Sequence, residues 1–147
     1  MAGADIAFNV AKGRHAHYGS LPGTNDALIL VFLEADALVG DATMEDYDTL
    51  AAVLAGASNE QSTLGRQTLT GASVTVNDTD DQVEVDAADV VIDPASGDPT
   101  GAALVCYDPD TTGGDDTTII PLTKHSYDIT PDGSELTVTV SNFVVCT

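Results

Sequence analysis

ALILVFLEA, residues 27–35, is an apolar run interrupted only by its glutamate. It lacks both the polar face of a surface helix and the alternation of a half-exposed strand, so it predicts a strand buried on both faces. Such a strand needs hydrogen-bonding neighbours at its edges and apolar cover above and below. AALVCYD, residues 102–108, has the same character and reads as a second buried strand.

Working outward, residues 41–58 (DATMEDYDTLAAVLAGAS) carry the one strong helix pattern. Thr43 stands as a cap with Asp46 three residues on, and Glu45, Asp46 and Asp48 suit the positive end of a helix dipole. Met44, Tyr47, Ala51, Leu54 and Ala55 share one face at helical spacing, and Gly56 supplies the stop. This predicts one amphipathic helix over residues 43–55, lying on a sheet.

The other signals are β. Residues 66–76 (RQTLTGASVTV) read as a strand or a broken pair. NDTDD then turns the chain into QVEVD, with Val83 and Val85 inward and Glu84 and Asp86 outward. A short strand and a Pro/Gly loop lead into residues 102–108, and TIIPLTKH follows the acidic loop. At the end, Tyr127 and Ile129 should answer Leu136, Val138 and Val140 across the turn Pro131-Asp132-Gly133. Residues 1–18 read as an N-terminal strand or extended arm, with Ile6, Phe8 and Val10 on one face, and residues 19–147 as a single β-rich domain. The expected fold is mainly β within the α+β class, a β-sandwich or barrel-like domain of about eight to ten strands with one helix packed on it.

The formal net charge is −20, from 24 acidic groups, 19 of them Asp, against two Lys and two Arg. Such a field repels phosphate backbones and anionic lipid, which argues against nucleic acid or a membrane as partner. It also repels itself, and salt relieves that repulsion, which suits a salt-rich, halophilic setting; an acidic protein from a high-GC organism is the alternative. No apolar run approaches the ~20 residues that span a bilayer, and the first residues lack a signal-peptide pattern, which predicts a chain made soluble in a cytoplasm. Cys106 and Cys146 sit in apolar stretches and read as buried free thiols.

Several groups of residues invite chemistry. The loop CYDPDTTGGDDTTIIPL, residues 106–122, suggests calcium, yet counting an EF-hand from Asp108 places Ile119 where the bidentate glutamate should stand. A calcium site of another kind, built from Asp108, Asp110, Asp115 and Asp116, stays open beside the reading that these aspartates serve turns, which the Asp/Gly chemistry favours. The same choice holds for Asn77–Asp81. Glu34 and Asp89 border buried runs and read as strand ends, not as acid-base catalysts. His15 and His17 would share a face of an extended segment and reach one metal with His125, although exposed polar residues explain them as well. Nucleophile motifs and phosphate loops are lacking, so no enzyme is expected. Lys12, Arg14, His15 and His17 form a basic island where an acidic partner or another subunit could dock.

NVAKGR, LPGTNDALILVFLEADAL, SNEQSTLGRQTLTG, VTVNDTDDQVEVD and ALVCYDPDTTGGDDTTIIPLTKHSYDITPDGSEL, in that order, resemble a family of small virion structural proteins of tailed phages and related prokaryotic viruses. The resemblance covers most of the chain, but its motifs are turns and strands, and it carries over no functional residue. It implies a head-associated decoration or minor capsid protein on the outer capsid surface, a homo-oligomer with a trimer favoured, and the major capsid protein as partner. The ending SNFVVCT departs from the family's longer apolar and basic tail. A tail- or fibre-associated module that binds host surface and a calcium-stabilised binding domain are the alternatives.

Overall fold

The computed structural model describes residues 6–146. They form ten strands in three antiparallel sheets together with three short helices, a mainly β fold of the α+β class. Strand β1 is Ile6–Ala7 and helix α1 is His15–Ser20; the run that opened the sequence reading becomes strand β2, Ala27–Glu34. Strand β7, Thr100–Asp108, lies antiparallel beside β2, with Leu28 opposite Tyr107 and Leu30 opposite Val105. The larger sheet adds β3 (Gln67–Leu69) and β8 (Ile120–Ile129) in the order β1-β8-β7-β2-β3.

Both faces of this sheet are covered, as a strand without alternation requires. Leu28, Leu30, Phe32, Ala103 and Val105 face one core, which the smaller sheets close. Those are β4 (Ser73–Asn77), β5 (Gln82–Asp86) and β10 (Val144–Cys146) in the order β10-β5-β4, and the pair β6 (Val90–Ile92) with β9 (Leu136–Val138). Ile29, Val31, Leu33, Leu104 and Cys106 face the second core, under helices α2 (Asp41–Met44) and α3 (Leu50–Ala55). Full burial of each such Leu, Ile, Val or Phe is worth ~1.5–3 kcal/mol, so the β2–β7 pair anchors both layers.

Three expectations change. The single helix over 43–55 is two, because Thr49 takes an extended conformation (φ −139, ψ 155) and its side chain accepts the Ala52 amide at 3.2 Å, a new N-cap in mid-segment. The buried set shifts accordingly to Met44, Leu50 and Val53, while Gly56 does close the second helix. Second, the extended arm is short. β1 pairs with β8, Gly13 turns the chain at φ +76, and residues 15–20 are helical. Phe8 joins one core and Tyr18 the other, so no boundary separates this segment from the rest. The part of the expected arm before Ile6 lies outside the described residues.

Third, the terminal hairpin does not form. Tyr127 and Ile129 continue β8 along β7, whereas β9 crosses to pair with β6, Val90 opposite Val138. Of the two readings of residues 66–76, the broken pair is the one found: β3 and β4 with Gly71 between them at φ +64. The β4–β5 hairpin keeps its expected sense, with Val85 fully buried opposite Val74.

Gly101 sits in β7 where the register shifts, and a Cβ there would lie 2.9 Å from the Ala35 Cα and 2.7 Å from Leu38 Cδ1. Backbone cannot yield as a side-chain tip can. Gly101→Ala should therefore destabilise the protein by about 1–3 kcal/mol, measured by urea unfolding. A melting curve unchanged from the parent would show that the Ala35 turn moves freely.

Candidate functional site

The acidic loop between β7 and β8 holds its carboxylates apart by giving each a local task. Asp108 Oδ1 accepts the Asp110 amide at 3.0 Å. Asp110 Oδ1 accepts from Thr112 N (3.0 Å), Thr112 Oγ1 (2.7 Å) and Gly113 N (3.1 Å). Asp115 accepts from the amide and hydroxyl of Thr117. The threonine hydroxyls, then the amides, hold both Asp110 and Asp115 below the usual carboxylate range. Asp116 lies elsewhere in purpose: Arg66 bridges it (2.5 Å) to Glu60 (2.7 Å), and these two partners raise the guanidinium pKa.

The loop's backbone is engaged as well. Leu50 N donates to Ile119 O and Ala51 N to Asp116 O, both at 2.9 Å, which satisfies two amides at the open end of α3. The structure thus uses the segment as a helix dock. Among the described residues, no three His, Cys, Asp or Glu side chains gather as a metal ion requires, so Asp108, Asp110, Asp115 and Asp116 do not form one site. Asn77 plays the turn role in the β4–β5 hairpin, accepting from Thr79 N and Asp80 N. Asp89 accepts the Val140 amide at 2.9 Å, and Glu34 ends β2.

The basic island separates into parts. Lys12 is exposed, donating to Asn9 Oδ1 (2.6 Å) and meeting Glu45 at 3.5 Å. Arg14 precedes α1, is exposed, and pairs with no described carboxylate. His15 turns inward and donates from Nε2 to Leu122 O at 3.3 Å; burial, opposed by that bond, lowers its pKa. His17 is exposed, beside the Tyr18 ring. The expected shared face of His15 and His17 is lost because the segment is helical, and positions two apart on a helix diverge.

His125, not His17, lines the same cavity as His15. A cavity of about 280 Å³ is lined by Lys12, His15, Thr123, His125 and Cys146, with apolar walls from β1 and β10. Thr123 Oγ1 and His125 Nε2 lie 2.9 Å apart. Among the described residues, no acidic side chain lines this cavity. Sequence order concealed the meeting of residues 12–15, 123–125 and 143–146, which only the β1–β8 pairing and the packing of the smaller sheet create. Both cysteines are free thiols, Cys106 fully buried with its pKa raised by desolvation and Cys146 half-buried at the cavity.

One partly buried ion pair had no sequence signal. Lys124, with 8% of its side chain exposed, reaches Asp41 at the start of α2 (2.7 Å). No protein-family model matches the chain, and neither a curated protein nor a solved structure matches it.

Two predictions follow from these environments. The folded state depresses the His15 pKa below its unfolded value of ~6.5, so the unfolded chain takes up that proton first. Stability from this group is complete above pH ~6.5 and declines as pH falls toward the folded-state value. His15→Gln should flatten that part of the stability profile and leave the carboxylate-driven loss nearer pH ~4 in place. An unchanged slope would assign it to other groups. Calcium at millimolar level, or chelator, should leave the melting temperature where it is, because the loop carboxylates already serve turns and Arg66; a rise on titration would overturn this account of the loop.

Proposed function

We propose that this chain is a virion structural protein, a decoration or minor capsid protein that lies on the outer head surface and stabilises the lattice of the major capsid protein. The observation that carries the reading is the commitment of its polar side chains to its own backbone. Asp108, Asp110, Asp115, Asp132 and Asn77 each hold a turn by accepting neighbouring amides. Of the four basic residues, Lys12, Arg66 and Lys124 meet carboxylates of the same chain. What is left is a firm body with stiff turns and an acidic exterior, suited to hold neighbours by buried area and not by catalysis.

The in-order resemblance to small virion proteins supports the same role. A standard interface of ~1,600 Å² in total suffices to clamp two subunits. The −20 charge favours the outer surface over contact with packaged DNA, and a salt-rich host. Repetition around a local symmetry axis, as a closed homo-oligomer with a trimer favoured, would multiply each weak contact.

The test is co-sedimentation of the purified protein with empty heads made without it, followed by localisation on the particle. Hundreds of copies on the head are expected; a few copies at the tail would replace this function with host-surface binding. Thermal stability should also rise steadily between about 0.1 and 2 M KCl as the Debye length contracts. A flat response would remove the high-salt setting.

A further inference from the structure

Three peptide bonds in the chain join aspartate to proline: Asp93–Pro94, Asp98–Pro99 and Asp108–Pro109. A bond of this kind is prone to acid cleavage for two reasons. The side-chain carboxylate is a nucleophile within reach of its own main-chain carbonyl, and the proline nitrogen leaves readily once it takes a proton. The surroundings of the three differ. Asp108 is half-buried, and its carboxylate accepts the Asp110 amide at 3.0 Å. Asp93 is exposed, but among the described residues no side chain donates to its carbonyl oxygen.

Asp98 differs at the reacting atoms themselves. Its carbonyl oxygen accepts from Gln61 Nε2 at 3.0 Å, and the Ser96 carbonyl accepts from the same nitrogen at 3.4 Å. The far end of the Gln61 amide is fixed as well, because Oε1 accepts from Thr63 N (2.9 Å) and Leu64 N (3.1 Å). Only 2% of Gln61 is exposed, so water hardly competes for this donor. The chain wraps it closely enough to require a glycine: a Cβ on Gly97 would lie 2.1 Å from Nε2. The Asp98 carboxylate, in contrast, is exposed, and among the described residues no hydrogen bond holds it away from its own carbonyl.

We propose that Asp98–Pro99 is a self-cleaving bond, attacked by the Asp98 carboxylate while Gln61 holds the carbonyl oxygen. An Oδ atom bonds to the Asp98 carbonyl carbon, the bond to Pro99 N breaks, and that nitrogen leaves with a proton from solvent. The five-membered cyclic anhydride left on Asp98 is opened by water, so the whole step consumes one water and yields a carboxyl end at residue 98 and an amino end at Pro99. A donor fixed on the oxygen that gains charge is worth about 10²–10³ in rate. Gln61 meets residue 98 only in the folded chain, so folding switches the bond on.

The fold is also arranged to survive the cut. Strands β1 to β6 precede residue 98 and β7 to β10 follow it. The pairs β1–β8, β2–β7, β5–β10 and β6–β9 join the two pieces, so each of the three sheets holds strands from both. Cleavage therefore converts one chain into two interlocked ones. This goes beyond the capsid role and does not depend on it.

The test holds folded protein at pH ~5, above the carboxylate-driven loss of stability near pH ~4, in ~2 M KCl, and follows intact mass over time. Two products are expected, residues 1–98 and 99–147, whose masses sum to the parent plus one water. Cleavage at Asp98–Pro99 should be at least about tenfold faster than at either other Asp–Pro bond. Asp98→Ala, at an exposed position, should abolish these products. Gln61→Met removes the donor and should bring the rate down to that of the other two bonds. Because that change also leaves buried amides unpaired, the same comparison is made on parent protein in ~8 M urea, where all three bonds should cut alike. On native gel filtration the two products should elute together and separate only in urea. Folded protein that cuts the three bonds equally, cuts Asp98–Pro99 more slowly than the urea-unfolded chain does, or yields the same products from Asp98→Ala would overturn the proposal and leave the capsid reading untouched.

Discussion

Everything else in this molecule depends on the burial of β2 and β7 from both sides. Their register sets Leu28, Leu30 and Phe32 toward one core and Ile29, Val31 and Leu33 toward the other. A slip of one residue would exchange the two sets and present each layer with side chains of the wrong shape. β8 is placed by β7, and with it Thr123, Lys124 and His125 alternate between the cavity and the Asp41 ion pair. The positions of the cavity wall are thus consequences of one ladder.

The layers over that ladder are short elements, and polar side chains hold their connections. Gln61 is buried with its whole amide engaged: Oε1 accepts from Thr63 and Leu64 amides, and Nε2 donates to the Asp98 carbonyl at 3.0 Å. It ties the segment after α3 to the loop before β7. Asp116 and Ile119 carbonyls tie the acidic loop to the first turn of α3 in the same manner. Many weak local bonds of this kind stiffen loops that have no regular structure, because each satisfied backbone group removes an incentive to move.

The sequence was legible where burial alone decides the outcome. ALILVFL and AALVCY read as two-faced strands because their length suits a strand and they lack any alternation, and QVEVD showed its alternation plainly. It was less legible where two local signals compete. Thr43 and Thr49 can each cap a helix in DATMEDYDTLAAVLAG, and the choice fell to Thr49 once Leu50 and Val53 had a core to face. Pairings between distant segments were least legible. SYDI and LTV look like the arms of a hairpin, but β9 finds β6 and β8 stays with β7, a preference set by the layers and not by the turn. The cavity belongs to this last group, since His15, His125 and Cys146 meet only after three separate strand pairings are made.

Surface charge and open edges act against each other in this fold. A three-residue edge strand such as β10 offers few amides, and a uniformly acidic surface keeps most approaching copies away. Because salt screens that general repulsion, raising salt lowers the barrier to any contact between copies and leaves the short edge strands, not the charge, to limit association.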